Sequence, residues 1–321
     1  MIVCSEAAVR ETLDLPALVP VIEEALVRQA RGEVERPDRP HFPVGQGLDD
    51  GNPRGTGIVM PAYIHGAAQY ATKLVGVHED NPDRGLPTVN AQVALTDART
   101  GLPDALLAGN ALTNARTACI GALAVREFAP ATRTLAVLGA GAQARWQTRA
   151  IATVADLSDV RVYSPNTREA CAADLREKGV PARAVDTPAA AVGGADTVVT
   201  ATTATEPVFR PDTLAAGALV VAVGAYTAQT QELAPAVLER AAEVVADVPA
   251  AVAETGDLLA TGLGAGDLVP LGAVLAGDVP VNATGELVAV ESVGSAVLDA
   301  AAATFVYERA EETGVGTDLS L

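Results

Sequence analysis

Residues 134–144, TLAVLGAGAQA, join an apolar strand to a glycine-rich turn and then to a helix. The pattern Gly139-x-Gly141-x-x-Ala144 is weak alone, but a strand before it and a helix after it are the context that dinucleotide binding requires. Gly139 permits the tight turn, Gly141 lets the backbone approach a pyrophosphate, and Ala144 lets helix and strand pack closely. The helix N-terminus offers free N–H groups to the phosphates. The alternative is a glycine turn that binds no ligand.

Apolar strands alternate with helical segments on the C-terminal side of this turn. The helix AQARWQTRAIATV follows it, and a second strand, VRVYS, precedes a helix over residues 166–178. Further strands are predicted at ARAV, DTVVTAT, ALVVAVGA and EVVADV. Strands that alternate with crossovers predict an α/β fold, a Rossmann-type doubly wound parallel sheet with helices on both faces.

The first third of the chain predicts an α+β unit instead. Residues 5–31 show helical periodicity, and residues 32–56, rich in Pro and Gly, predict a long loop that approaches a site. Strand-like runs with turn signals between them follow at about 57–63, 70–76 and 91–96.

The last apolar stretch, ESVGSAVLDAAAATFVYERAEE, predicts one long helix that returns to the first unit and makes that unit discontinuous. We therefore expect two domains. Residues 1–117 plus 296–321 would form a substrate-binding and dimerisation domain, and residues 118–295 would form the dinucleotide-binding domain. A length of 321 residues suits about two domains.

The composition excludes several classes of function. The formal charge of -18 argues against nucleic acid or an anionic membrane as a partner. Lys73 and Lys178 are the only lysines, and an acidic, Lys-poor chain fits the cytosol of a salt-adapted, halophilic organism. The three cysteines and three histidines lack ligand spacing, so no metal site is expected. Acids in the first residues argue against a signal peptide, and we expect a cytoplasmic protein.

The end of the second predicted strand bears on cofactor choice. An NAD site places Asp or Glu there to accept from the ribose 2′-hydroxyl, whereas here Tyr163 is followed by Ser164, Pro165, Asn166, Thr167 and Arg168. Hydroxyl and amide groups with an arginine suit a 2′-phosphate, which needs donors and positive charge. We expect NADP(H) to be preferred and NAD(H) to be possible. Arg168 as a solvated helix residue is the alternative.

Three cations in the first unit form a second candidate site. Arg39 in RPDRPHF, Lys73 in YATKLVG and Arg116 in LTNARTACIGA come from separate segments that can converge on a carboxylate. Arginine binds a carboxylate bidentately, and a partly desolvated lysine can polarise a carbonyl or transfer protons. A surface ion pair is the alternative interpretation of Lys73 and of Arg39.

Several stretches resemble the ornithine cyclodeaminase/mu-crystallin family. They occur in family order between about residues 36 and 310, namely GIVMPAY, YATKLVG, LPTVNAQVALTDARTGLPDALLAGNALTNARTA, LAVLGAGAQA, DTVVTATTATEPVF, AVGAYTAQTQEL and ESVGSAVLDAAAA. The resemblance implies a homodimer. It also implies that Arg39, Lys73 and Arg116 contact the substrate carboxylate. The cofactor contacts it implies are Thr88, Thr117, Ala142, Gln143, Thr202, Val223 and Ser292.

Two departures from the family pattern bear on the reaction. Ornithine cyclodeaminases carry a Glu and an Asp that hold the second amine of the substrate, and the corresponding positions here are Ile58 and Tyr226. An ornithine ammonium would therefore be desolvated without an identified partner, at a cost of several kcal/mol in order of magnitude.

Three functional hypotheses remain at this point. The favoured one is an NAD(P)-dependent oxidoreductase that transfers hydride between nicotinamide and a small amino acid or imine, of the alanine dehydrogenase or ketimine reductase type. In it Arg39 and Arg116 fix the carboxylate, and Lys73 and Arg116 are the expected catalytic residues. The second is ornithine cyclodeaminase itself, with Tyr226 or an acid not identified in the sequence holding the side-chain amine of the substrate. The third is a non-catalytic NADP-dependent ligand-binding protein.

Overall fold

The computed structural model describes residues 1–48, 51–281 and 285–320. Within these ranges the strands are β1 Ile2–Cys4, β2 Val34–Glu35, β3 His41–Val44, β4 Gly55–Ile64, β5 Gln69–Val77, β6 Val89–Asp97, β7 Pro103–Ala108, β8 Thr134–Leu138, β9 Asp159–Tyr163, β10 Ala182–Ala184, β11 Thr197–Thr200, β12 Leu219–Ala222, β13 Glu243–Ala246, β14 Val269–Pro270, β15 Val288–Glu291 and β16 Thr317–Asp318.

The α-helices in the same ranges are α1 Glu6–Thr12, α2 Leu15–Ala30, α3 Gly109–Phe128, α4 Ala142–Ile151, α5 Arg168–Glu177, α6 Pro188–Val192, α7 Pro235–Arg240, α8 Pro249–Val252, α9 Gly256–Leu259, α10 Leu271–Leu275 and α11 Ala296–Thr313. Short 3-10 turns lie at Asn81–Arg84, Pro211–Thr213 and Ala265–Asp267. No helix in the described part of the chain combines the length and the apolarity that a membrane span requires.

The chain divides into two compact units. Unit 1 comprises Met1–Arg116 and Ala296–Leu321, and unit 2 comprises Thr117–Ser295. The division after Arg116 falls within α3, one residue earlier than the boundary expected from the sequence.

Unit 1 is a mostly antiparallel sheet with helices on one face. The strand order is β16-β1-β7-β6-β5-β4-β2, and β3 pairs with β4. Helix α11 packs on β4, β5 and β6 and also on α2. The register aligns Met60, Lys73, Val93 and Leu107 across four strands, and all four side chains are buried. Lys73 therefore lies on the buried face of this sheet.

Unit 2 is a parallel sheet with the order β10-β9-β8-β11-β12-β15-β13-β14. Every pairing in it is parallel, and the strands are apolar runs such as Leu135–Leu138 and Leu219–Ala222 that are buried throughout. Chain order reverses between β8 and β11, which is the switch point at which such sheets bind ligands. The predicted Rossmann-type fold is confirmed.

The helical periodicity of residues 5–31 is confirmed. They form two helices, because Ser5 accepts a hydrogen bond from Ala8 N at the start of α1 and the chain is extended at Leu13 and Asp14 before α2, which has Pro16 in its first turn. Three details of other predicted elements were wrong. The predicted loop 32–56 contains β2, β3 and the start of β4, and its residues 49–50 lie outside the described residues.

The predicted final helix begins at Ala296 rather than at Glu291, which ends the buried strand β15. The residues between them are bound to the Asp247 carboxylate, which accepts hydrogen bonds from Ser292 Oγ at 2.7 Å and Gly294 N at 2.8 Å. Gly294 has φ +79°, a conformation that a regular right-handed helix does not contain, so the helix starts after it. Unit 2 thus has eight strands in the described residues where six were predicted.

Candidate functional site

The glycine-rich turn lies at the carboxyl end of β8, at the switch point of the parallel sheet. Gly139 has φ +118°, and a Cβ on it would collide with the carbonyl oxygen of Ala201 at the end of β11. The N–H of Gly139 donates to Tyr163 O at 2.9 Å, which ties the turn to the end of β9. Only glycine satisfies both the backbone conformation and the close approach of β11.

Gly141 caps the ten-residue helix α4 and leaves its N-terminus open. A Cβ on Gly141 would meet no atom of the described residues within 4 Å. Ala142 and Gln143 form the first turn of α4, and Ala144 is completely buried, so that α4 packs closely on the sheet. Free space next to the N-terminus of a helix is the arrangement that fits the phosphates of a dinucleotide.

The Arg168 side chain contacts the backbone of the loop that follows β9. The Arg168 guanidinium donates to Ser164 O at 3.2 Å and Pro165 O at 3.3 Å, and it forms an ion pair with Asp186 Oδ1 at 2.9 Å. Asn166 and Thr167 are exposed in the same loop. The guanidinium is therefore held at the end of β9, next to the position where an adenosine ribose binds in such sheets.

Other predicted cofactor residues also follow strands of unit 2. Thr202 lies just beyond β11, Val223 just beyond β12 and Ser292 just beyond β15. Because carboxyl ends of parallel strands share one edge, these residues line the same edge as the glycine turn. Tyr226 is 50% exposed in the loop after β12. Thr117 lies in α3 at the start of unit 2, whereas Thr88 precedes β6 in unit 1.

In unit 1, a buried ionic cluster surrounds Lys73. Lys73 Nζ lies 2.6 Å from Asp299 Oδ2, and Arg116 Nε lies 2.9 Å from Asp299 Oδ1. All three residues are at most 5% exposed. Strand β5 supplies Lys73, α3 supplies Arg116, and Asp299 faces both from the first turn of α11.

The surroundings of Lys73 lower its pKa to about 8. Burial is the largest cause, Arg116 and Arg39 act in the same direction, and Asp299 opposes them. Burial alone would raise the pKa of Asp299, but Arg116 and Lys73 outweigh it, and the pKa lies below its ordinary value. An ionised Asp299 between two cations leaves net positive charge, which suits an anionic ligand.

The structure brings together the three cations that the sequence singled out, since Arg39 also acts electrostatically on Lys73. Sequence reasoning missed Asp299. The available signal was that Asp299 is the only charged residue in the apolar stretch 292–307. Ile58 lies on the Lys73 face of the sheet, two residues before Met60, which pairs with Lys73. Among the described residues, no group of three His, Cys, Asp or Glu is placed to hold a metal ion.

Comparison with known proteins matches these features to one family. The sequence model of the protein family described as the ornithine cyclodeaminase/mu-crystallin family matches residues 1–314. A Delta(1)-pyrroline-2-carboxylate reductase from Bacillus cereus is 35% identical over 293 residues, which cover 88% of this chain and 90% of that protein.

Solved structures with a similar fold include two dehydrogenases or reductases. The Thermococcus litoralis Delta(1)-pyrroline-2-carboxylate reductase, in complex with NADH and L-proline, has a TM-score of 0.91 and 27% identity, covering 99% of this chain and 100% of that one. An archaeal alanine dehydrogenase dimer with bound NAD has a TM-score of 0.90 and 25% identity, covering 100% and 99% respectively.

Proposed function

Because the chain belongs to the ornithine cyclodeaminase/mu-crystallin family, we propose that it is an NAD(P)-dependent oxidoreductase acting on a small amino acid or its imine. The observation that carries the proposal is the buried lysine with a pKa of about 8, placed among an aspartate and two arginines. Similarity to pyrroline-2-carboxylate reductase and alanine dehydrogenase supports hydride transfer to or from the carbon that bears nitrogen. The bound nicotinamide would supply or accept the hydride.

The cations of unit 1 would bind the substrate carboxylate. Asp299 uses one edge of the Arg116 guanidinium through Nε, and a guanidinium carries five N–H donors. Arg39, which is partly exposed, adds positive charge from another segment. A carboxylate bound by these groups would orient the carbon and nitrogen that react.

Lys73 would transfer the proton. A group with a pKa of about 8 can donate to an imine nitrogen during reduction and accept a proton during oxidation, since catalytic pKa values close to the working pH are the most effective. Asp299 would hold the ammonium in place and keep it charged near neutral pH.

The surroundings of Lys73 support a substrate with a small or apolar side chain. Ile58 on the same face has no charge to offer a second amine, in contrast to the glutamate expected there in ornithine cyclodeaminases. Tyr226 lies in the loop after β12 at the other position where an acid would be expected. Pyrroline-2-carboxylate, the substrate named for the Bacillus cereus relative, has no second amine.

The cofactor would bind along the carboxyl edge of the unit 2 sheet. The open N-terminus of α4 would receive the pyrophosphate, and the ends of β11, β12 and β15 would contribute Thr202, Val223 and Ser292. Ser164 and Arg168 support NADP(H) as the preferred cofactor, although Arg168 is also paired with Asp186. NAD(H) would be accepted as well, as in the related structures.

An uncharged sheet face in unit 1 supports a homodimer. On β4, β5 and β6 the face opposite Lys73 carries partly or well exposed uncharged side chains, namely Val59, Pro61, Tyr63, Tyr70, Thr72, Leu74, Gln92, Ala94 and Thr96. Such a face in a chain of formal charge -18 fits a second copy rather than solvent. The related archaeal alanine dehydrogenase is a dimer.

A cytoplasmic location completes the proposal. Cys4, Cys119 and Cys171 are buried and form no disulfide bond in the described residues, which suits a reducing compartment. The acidic composition supports a protein without nucleic-acid or membrane partners.

The two lysines of the chain allow a matched test. Lys73→Met removes the proton donor, so turnover of NADPH with pyrroline-2-carboxylate should fall by about a hundredfold or more, the usual contribution of general acid catalysis. Cofactor affinity, measured by NADPH fluorescence, should not change. Lys178→Met alters the other lysine, which is exposed at the end of α5, and should retain wild-type turnover. Unchanged turnover in Lys73→Met would disprove the role of Lys73.

A further inference from the structure

Glu232 is a completely buried carboxylate in unit 2 that the proposed reaction does not use. It accepts hydrogen bonds from three donors. Thr202 N donates to Oε1 at 2.6 Å, and Gly224 N and the Thr200 hydroxyl donate to Oε2 at 2.8 Å and 2.9 Å. A buried carboxylate that receives three hydrogen bonds is fixed in one orientation.

The three donors belong to the ends of two neighbouring strands. Thr200 and Thr202 lie at and just beyond the end of β11, and Gly224 lies just beyond the end of β12. A Cβ on Gly224 would collide with the carbonyl oxygen of Thr202 and with the Glu232 carboxyl carbon. The two turns therefore pack directly against each other, with the Glu232 carboxylate joining them.

Further contacts fix the backbone that carries Glu232. Asp257 Oδ1 accepts from Glu232 N at 2.7 Å and from Leu233 N at 2.8 Å. Glu232 O accepts from Val208 N at 2.8 Å, and Gln231 N donates to Ala204 O at 2.9 Å. The segment is thus attached to the chain that follows β11, and the loop between Gly224 and Glu232 is closed at both ends.

We propose that Glu232 is a positioning residue for the cofactor, which holds the turns bearing Thr202 and Val223 in the shape that binds the nicotinamide dinucleotide. The inference rests on the proposed function, which places the cofactor along these turns. Glu232 contacts the turns from within the protein and acts through them.

The proposal depends on two acceptor oxygens facing backbone N–H groups. Burial raises the pKa of Glu232 to about 7, against the hydrogen bonds that lower it. A protonated carboxyl would still satisfy every partner, because its O–H can donate to Thr200 Oγ1 and leave both backbone N–H groups bonded. An amide cannot do so, because its NH₂ would face the N–H of either Thr202 or Gly224. Glu232→Gln therefore loses one turn contact at nearly constant volume.

Glu291 provides a matched control. It is buried at the end of β15, and burial together with Asp257, Glu232 and Asp247 raises its pKa well above the ordinary value. Within the described residues its Oε1 has no hydrogen-bond partner. Glu291→Gln therefore removes a buried carboxylate near Glu232 without removing a hydrogen bond from either turn.

The test compares dissociation constants for NADPH and NADH, measured by fluorescence titration of the full-length protein. Glu232→Gln should raise both by about tenfold, the effect of losing one hydrogen bond to a charged group. Glu291→Gln should stay within about twofold of the wild type. Thr200→Val, which keeps both backbone contacts, should change them by less than about threefold. If Glu232→Gln does not fold, Glu232→Asp replaces it, because the shorter side chain withdraws the carboxylate from both turns.

Two further readouts separate positioning from general destabilisation. Amide hydrogen exchange should accelerate at Thr202 or at Gly224, whichever faces the NH₂ group in Glu232→Gln, and at neither in Glu291→Gln. KM for the cofactor should rise while kcat at saturating cofactor stays within about twofold.

The outcomes distinguish failure of this inference from failure of the proposed function on which it rests. Wild-type protein that binds neither dinucleotide overturns the proposed function and the inference with it. Wild-type protein that binds them, with unchanged affinity in folded Glu232→Gln or an equal loss in Glu291→Gln, overturns only the role of Glu232.

Discussion

Replacing Asp299 by asparagine tests how the buried cluster controls Lys73. The change keeps the shape of the side chain and removes the charge that lies 2.6 Å from Lys73 Nζ and 2.9 Å from Arg116 Nε. Burial and the Arg116 and Arg39 guanidinium groups, which all lower the pKa of Lys73, remain. The pKa of Lys73 must therefore fall below its wild-type value.

The magnitude follows from the contact that is lost. A hydrogen bond to a charged group is worth about 1.5–3 kcal/mol, and about 1.36 kcal/mol corresponds to one pKa unit. The pKa of Lys73, about 8 in the wild type, should thus fall to about 6 or 7 in Asp299→Asn. Loss of one partner of a buried ion pair also costs about 3–5 kcal/mol of stability.

The stability of Asp299→Asn also depends on pH. The unfolded chain restores the lysine to its ordinary pKa of 10.5. Between the lowered folded pKa and 10.5 the unfolded state binds the additional proton, so the stability of Asp299→Asn should rise with pH over this range. Thermal melts at several pH values would measure this trend.

The assay is the pH dependence of kcat/KM for NADPH-driven reduction of pyrroline-2-carboxylate. Reduction needs the charged lysine, so the wild-type profile should fall above pH of about 8, and the Asp299→Asn profile should fall at about pH 6 or 7. Glu308→Gln removes an exposed acid from the same helix and should reproduce the wild-type profile. The reasoning fails if the descending limb does not move. It fails equally if folded, cofactor-binding Asp299→Asn is inactive even below pH 6, where Lys73 remains charged.

Two further predictions concern cofactor choice and assembly. The wild type should bind NADPH more tightly than NADH by about ten- to a hundredfold, as measured by dissociation constants, and Ser164→Asp combined with Arg168→Ala should reverse this preference. Equal affinity of the wild type for NADH and NADPH would contradict the interpretation of this loop. Leu74→Glu places a charge on the uncharged face of unit 1 and should convert a dimer into a monomer in light scattering. Leu102→Glu, at a 64% exposed position in the turn between β6 and β7, should leave the assembly intact, and a wild-type monomer would refute the dimer.

The sequence by itself determined the class of fold and the position of the glycine-rich turn. An apolar strand, two glycines and a helix are contiguous in residues 134–144, so local pattern was sufficient there. The structure confirms the parallel sheet and places Gly139 where a side chain would collide with Ala201. The family was likewise recognisable from motifs in chain order.

The order of the strands in the sheet could not be predicted from local sequence patterns. The run before Glu291 is short and leads towards a long helix, and periodicity over so few residues cannot separate strand from helix. Only the tertiary structure shows that β15 inserts between β12 and β13, because its pairings join residues far apart in sequence.

Charge pairing was decided by the tertiary structure alone. Lys73 and Arg116 were identifiable as unusual cations, but Asp299 is 183 positions from Arg116. Only the return of α11 to the first sheet brings its carboxylate to both cations. Glu232 lies in the family-like stretch AVGAYTAQTQEL, but that stretch does not identify its partners, which belong to the ends of two strands. A sequence specifies such contacts through burial of whole helices and strands, and the polar partners become visible only when those elements are packed.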